Sequence, residues 1–480
     1  MRRRGWARLA AVSSAVVGLL LASGMAGAAP AKKTMPALMV SDIHFEPFWD
    51  PGKVTQLAAA PASGWKAILA GAPTADREAE FKTLEDKCKV RGEDTSYPLF
   101  ASSLTAMGRD AAGAKFATVS GDLIAHAFSC KFGTMFPKAA AGAYRAFVEK
   151  TIEFVVEELR GALPGVPVYV ALGNNDSDCG DYKLDGHSEF LAATGEVVTR
   201  EFAAAERKSA LESFAAGGYY SAGLPVKNAR LLVLNDLFMA ARYQTCGGKS
   251  DAAGADEQLA WLEAQLTEAR NRHEKVWVMA HIPPGVDGHA SAAKAGDICG
   301  AKGPKMFLGS EKLAEELAAF GDVVELAVFA HTHMDEVRVL KPEGGGAGTG
   351  VAVKLVPSIS PIDGNVPSFT IAQVDTATAE LRDFRVLTAS NATGAGTEWK
   401  EEYDWGKSYG ESAFSAAGVG HLIAGLEADK DGTTAASGAY MHHFFSGKDS
   451  PLLALVWPLY TCALEHDSAE AYKGCACAAH

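Results

Sequence analysis

The sequence predicts an α/β fold, a layered β-sheet core flanked by helices with a small helical C-terminal extension. Three observations carry that expectation. Between about residues 35 and 390, short runs that are apolar almost throughout alternate with longer amphipathic stretches. The runs lack the in–out alternation of a half-exposed sheet, so they imply sheets covered on both faces by helices. Five of them end in residues that bind metals or phosphate, the place where open α/β sheets gather their ligands.

Taken in order, residues 1–28 read as an export signal. Arg2, Arg3 and Arg4 form a basic start, "LAAVSSAVVGLLL" a short apolar run, and Ala26-Gly27-Ala28 a small-residue cleavage site. That run is too short for a membrane span, and no later stretch reaches the necessary length. The strands follow as "ALMVSD", "FATVSGD", "VPVYVALGNND", "ARLLVLND", "KVWVMAHIPP", "ELAVFAHTH", "GVAVKLVPS" and "SFTIAQVD". "YRAFVEKTIEFVVEELRGAL" and "DEQLAWLEAQLTEARNRHEK" read as helices between them, and "FTIAQVDTATAELRDFRVL" as an antiparallel hairpin. "KPEGGGAGTG" reads as a flexible loop and "TASNATGAGTEW" as a boundary. The expected organisation is thus an export signal over 1–28, an α/β domain over 35–390 and a helical, cysteine-containing region over 391–480.

Composition narrows the function. With 48% hydrophobic and 21% charged residues in 480, the chain is globular, not disordered. Its formal charge is −13, and cleavage after Ala28 removes four arginines and no acids. That balance excludes a stable nucleic-acid partner, though not nucleic acid as a substrate. Eight cysteines, an even number behind an export signal, point to disulfides and to a secreted or periplasmic protein. None lies in a CxxC pair, which argues against a zinc site built from cysteine.

The strand ends hold the chemistry. Asp42 and His44 are two residues apart, as are His331 and His333, a spacing that on an extended chain sends both side chains the same way. Gly121-Asp122 places a carboxylate at a tight turn, and His281 precedes Pro283-Pro284-Gly285, which ends its strand abruptly. "GNND" adds the amide of Asn174, although Asn and Asp are also ordinary turn residues. Any one of these motifs is more often structural than functional. Five in succession, each at a strand end, are enough for a site with two metals, and imidazole with carboxylate suits zinc, iron or manganese.

The order D-x-H, G-D, G-N-x-D, H and H-x-H resembles that of the calcineurin-like metallophosphoesterases. "SDIHFEPF", "GDLIAH", "AHIPPG", "AHTHMDE" and "PSISPIDGNVPSF" are similar to the acid sphingomyelinase branch, over roughly residues 35–390, and "FSGKDSPLLALVWPLYTC" extends the likeness into the tail. The resemblance implies two divalent cations, zinc before iron or manganese. It assigns one to Asp42, His44, Asp122 and His333 and the other to Asp122, Asn174, His281 and His331, with a bridging hydroxide attacking phosphorus. It matches His126 to a second active-site histidine, expected to be the main general acid, with a structural histidine capping a loop as the alternative. It also exposes a departure: Asn175 stands where most relatives carry a phosphate-contacting histidine, and Asp176, which orients that histidine in the family, is left to close the turn. The same resemblance pairs Cys246 with Cys299 and, more weakly, Cys88 with Cys130; the late cysteines are expected to tie down the tail, and Cys179 stays unassigned.

Only 13 residues separate Ala28 from Asp42, so the expected protein lacks the saposin-like domain of acid sphingomyelinase. The leading expectation is a phosphodiesterase acting on small phosphoesters such as a phosphocholine diester or a nucleotide. One alternative is an endopolyphosphatase or phosphomonoesterase, since a phosphoanhydride depends less on a general acid. Another is a metal-retaining binding protein in which Asn175 marks lost catalysis. His187, His289, His442, His443, Asn235, Asp236 and Asn365 are expected to be loop, packing or turn residues.

Overall fold

The computed structural model describes residues 33–478 except 293–297, 301, 343–344 and 346–349. The export signal lies outside the described residues, as does most of "KPEGGGAGTG".

Among the described residues, twelve strands form two six-stranded sheets. In sequence order, β1 (Thr34–Val40), β2 (Ala117–Ser120) and β3 (Val168–Ala171) belong to the first, and β4 (Tyr220–Gly223), β5 (Ala229–Val233), β6 (Lys275–Met279), β7 (Val324–Phe329), β8 (Glu336–Leu340) and β9 (Val351–Leu355) make up the second. The first is completed by β10 (Ser368–Asp375), β11 (Leu381–Ala389) and β12 (Trp399–Asp404). Strands β1, β2 and β3 run parallel, as do β5, β6, β7 and β9. Their carboxyl ends therefore line up within each sheet. The layered α/β expectation holds.

The sheets share one apolar core. All four residues of β2 and of β3 are buried, and Phe116 meets Trp277 edge-on at 5.5 Å. Tyr220 of the second sheet donates its hydroxyl proton to the Val170 carbonyl and accepts from the Val170 N–H. Helix Ala143–Ala162 covers the first sheet because its apolar residues recur at helical spacing; Phe147, Phe154 and Leu159 face inward. Phe147 packs there at tilted angles against Phe48, Trp65, Phe128 and Phe132.

The predicted strands and the β10–β11 hairpin all form. Strands β4, β8 and β12 were not expected. In β8 the charges of Glu336 and Arg338 mask an otherwise apolar run; both are buried, paired with each other, and Glu336 also accepts from the Tyr460 hydroxyl. "TASNATGAGTEW" connects β11 to β12, so the chain beyond residue 390 begins with a sheet strand before it turns helical.

The disulfides are Cys88–Cys130, Cys179–Cys246, Cys299–Cys477 and Cys462–Cys475. Cys88–Cys130 and the tail anchoring are as expected, but Cys246 does not pair with Cys299. Backbone bonds between Gln244 and both Tyr182 and Leu184 carry Cys246 to Cys179 instead. Cys299 is drawn into a small separate core, where Val286 and Ile298 pack against Leu459 and Tyr472 of the tail.

Candidate active site

Each strand end turns sharply into the same space. Asp42, His44, Asp122, His331 and His333 all have φ between 42° and 71°, the left-handed region that costs non-glycine residues about 1–2 kcal/mol each. The motifs therefore converge through left-handed turns and not through the strand alternation their spacing implied. Backbone bonds hold the turns: Asp42 N–H donates to Gly121 O (3.1 Å) and His44 N–H to Asp122 O (2.9 Å). Two glycines allow the approach. A Cβ on Gly173 would lie 2.1 Å from Asp122 Oδ1, and one on Gly121 would lie 2.8 Å from His281 Nδ1.

All seven predicted metal ligands meet in two overlapping groups. In one, His44 Nε2 lies 3.1 Å from His333 Nε2, 3.4 Å from Asp122 Oδ2 and 3.8 Å from Asp42 Oδ1. In the other, His281 Nε2 lies 3.2 Å from Asp122 Oδ2 and 3.2 Å from Asn174 Oδ1, with His331 alongside. Asp122 belongs to both. Backbone carbonyls set the ring orientations: Ile124 O lies 2.9 Å from His44 Nδ1 and Ser120 O lies 2.8 Å from His281 Nδ1, which turns both Nε2 atoms inward.

This donor set fits two divalent cations. Tetrahedral ligands about 2.1 Å from an ion stand roughly 3.4 Å apart, close to the separations found here. Asp42 Oδ1 is buried without a hydrogen-bond partner, and an orphaned carboxylate oxygen beside three imidazoles is costly unless a cation completes it.

Electrostatics point the same way. Burial lowers the proton affinity of His44 and His281, yet Asp122, with Asp42, pushes both up to about 10. Burial, reinforced by His281, drives His331 down to about 3. Burial raises Asp122, but His281 and His44 hold its carboxyl well below the usual range. Buried carboxylates thus collect positive charge, and the imidazoles compete to supply it.

Among the predicted catalytic residues, Asn175 sits against Asp122: its N–H donates to Asp122 Oδ1 (2.8 Å) and its side-chain amide to Oδ2 (2.9 Å). Its amide is therefore committed to the shared carboxylate. Asp176 accepts the N–H groups of Leu123, Ile124 and Gly173 at 2.8–3.1 Å, clasping the Asp122 turn to the Asn174 turn. His126 stacks on His44, ring centroids 4.0 Å apart, with its side chain one-third exposed. Its Nδ1 lies 3.1 Å from Asp94 Oδ1, and its N–H donates to Asp94 Oδ2 (2.7 Å). Burial raises the Asp94 carboxyl, but His126, His44 and Lys131 hold it far below the usual range.

Asp94 was missed. Nothing in "RGEDTSYP" separates it from a loop acid, and it reaches His126 only through the backbone pairing of Thr95 with Phe45. Asp236, expected as a turn, supports His281: it accepts the N–H groups of His281 and Ile282 at 3.0–3.3 Å, and burial pushes its carboxyl up to about 7. His187 is exposed beside Glu257, His443 stacks on Tyr403, and Asn365 donates to Ser360 O. His289 borders a cavity of about 570 Å³ that opens from His331 and Thr332 and is walled by Phe307, Met334, Phe444 and Tyr460.

The chain belongs to the calcineurin-like phosphoesterase family, whose model matches residues 35–335. Its relatives lie in the acid sphingomyelinase-like branch. Acid sphingomyelinase-like phosphodiesterase 3b of Homo sapiens is 24% identical over 82% of this chain and 79% of its own. Cyclic GMP-AMP phosphodiesterase SMPDL3A of Rattus norvegicus is 25% identical over 66% and 69%. Sphingomyelinase phosphodiesterase C of Dictyostelium discoideum is 24% identical over 51% of this chain and 49% of its own, so the chain spans about half the length of that relative. Family and relatives together support a metal-dependent phosphodiesterase.

Proposed function

We propose that the chain is an exported hydrolase that cleaves small phosphodiesters, with one cation held by Asp42, His44, Asp122 and His333 and a second by Asp122, Asn174, His281 and His331. The observation that carries this reading is the convergence of those seven side chains at ligand separations beside an oriented His126. Export is supported by eight cysteines that all lie in disulfides, as an oxidising compartment permits. Among the described residues no helix is long and apolar enough to cross a membrane.

Two divalent cations, zinc before iron or manganese, would, when held by these residues, supply Lewis acidity for phosphoryl transfer to water. The protein's own groups do the remaining work. Asp94 holds His126 by Nδ1, which leaves Nε2 to deliver a proton to the leaving oxygen, a contribution typically of 10²–10⁴-fold. Asn175 has no proton to give at neutral pH and instead steadies Asp122. The cavity beyond His331 is large enough for a phosphocholine or nucleotide-sized group. Asp287, Glu336, Asp363 and Asp449 line it against Arg338 and Lys448, and that excess of acids disfavours a polyphosphate chain.

Phosphorus NMR of products from a choline phosphodiester, ATP and a short polyphosphate tests the reading. Phosphocholine is the expected product. Cleavage confined to the anhydrides would overturn the assignment in favour of a polyphosphatase.

A further inference from the structure

Consecutive residues of one loop grip two members of the second group. Asn174 Nδ2 donates to Asp181 Oδ1 at 2.7 Å. The two ends of a carboxamide have nearly the same shape, so geometry alone does not decide which faces the centre; a carboxylate at one end draws the NH₂ there. Asp181 thereby turns Asn174 Oδ1 toward His281 Nε2, 3.2 Å away. The neighbouring Tyr182 places its hydroxyl 3.1 Å from His331 Nε2 and claims that ring nitrogen, leaving Nδ1 for a cation.

The loop is held hard. Tyr182 has φ of 56°, a strained value for a bulky residue. Its N–H donates to Asn174 O (3.0 Å), its carbonyl accepts from Gln244 N–H (3.0 Å), and the Arg242 guanidinium lies 4.2 Å over its ring. Cys179–Cys246 ties the start of the loop to the segment that carries Gln244 and Arg242. The first group takes its support elsewhere: His44 Nδ1 rests on Ile124 O.

We propose that Asp181 and Tyr182, clamped by the Cys179–Cys246 disulfide, are positioning residues for only one of the two cations, the one held by Asp122, Asn174, His281 and His331. This rests on the two-cation reading above and goes beyond it: the sites share Asp122 but take their outer support separately, so one can empty while the other stays filled.

Calorimetric titration of the chelator-stripped full chain with Zn²⁺, checked by metal content after dialysis, tests this. The wild type takes up two equivalents. Asp181→Ala and Tyr182→Phe keep one at unchanged affinity and bind the other about 10- to 100-fold more weakly, the usual cost of losing an outer-shell partner. Asp181→Asn, which keeps an acceptor oxygen, recovers most of the loss. The Cys179→Ser/Cys246→Ser double variant behaves like Asp181→Ala, and Cys88→Ser/Cys130→Ser does not. Tyr182→Phe removes one hydroxyl, so its metal-free melting temperature stays at the wild-type value and separates positioning from unfolding. Two wild-type affinities in both Asp181→Ala and Tyr182→Phe, or equal weakening of both equivalents, would overturn the inference. Fewer than two equivalents in the wild type would overturn the two-cation reading itself, and the inference with it.

Discussion

At the residue scale, the site turns on which polar atoms are committed and which are free. Asn175 spends its amide on Asp122, so the proton for the leaving group has to come from elsewhere, and His126 on Asp94 is the oriented imidazole beside the cluster. Replacing His126 with Gln is expected to slow an alkyl phosphodiester by about 10²–10⁴-fold while a nitrophenyl ester loses far less. Asp94→Asn is expected to shift the same ratio in the same direction. Steady-state rates on the two esters give the answer, and equal losses on both would remove His126 from the role. The sequence pattern reached His126 through its motif. It could not reach Asp94, because an acid beside Glu93 in a polar loop has no spacing that announces its partner.

At the element scale, the site is a set of loops fastened to helices. Lys131, on the helix Phe128–Met135, is fully buried and bonded to the equally buried Glu46, just beyond Asp42 and His44. Lys131→Met leaves the buried Glu46 without its cationic partner, with only the Phe48 N–H to accept, and is expected to cost about 3–5 kcal/mol, whereas Lys131→Met with Glu46→Leu is expected to cost much less. Urea unfolding of the two variants measures the difference. Phe147→Ala opens the aromatic cluster beneath helix Ala143–Ala162 and is expected to cost about 3–5 kcal/mol. This helix, by its clean periodicity, and the eight predicted strands, as unbroken apolar runs, were legible in sequence. Strand β8 was not, because its charges are buried, paired with each other and satisfied further by Tyr460 and the Val286 carbonyl, a state that composition reads as exposure.

At the scale of the whole molecule, stability and metal content are linked. His44 and His281 are pushed up to about 10, above the ordinary value of 6.5, so the folded metal-free protein holds protons that the unfolded chain releases. Their contribution is fully present below pH 6.5 and is lost as pH rises toward 10. Asp236, pushed up to about 7, has the same sign at lower pH: its contribution falls between about pH 4 and 7. The melting temperature of the chelator-treated protein is therefore expected to fall from pH 7 to 10. Zinc at 100 times its dissociation constant is expected to add about 2.7 kcal/mol and to flatten that decline, because the cation replaces the protons. Scanning fluorimetry across pH, with and without zinc, checks both.

The sequence by itself determined the alternation of buried strands and helices, the order of the motifs at their carboxyl ends, and the identity of the residues able to hold a cation. These are properties of local pattern and side-chain chemistry. Tertiary structure alone decided that the motifs converge through left-handed turns, that Cys246 joins Cys179 instead of Cys299, that Asp94 backs His126, and that Asp181 and Tyr182 aim two side chains at one point. Each of those depends on atoms brought within about 3 Å by segments remote in sequence or by the path of a constrained loop, and no spacing along the chain encodes such a distance.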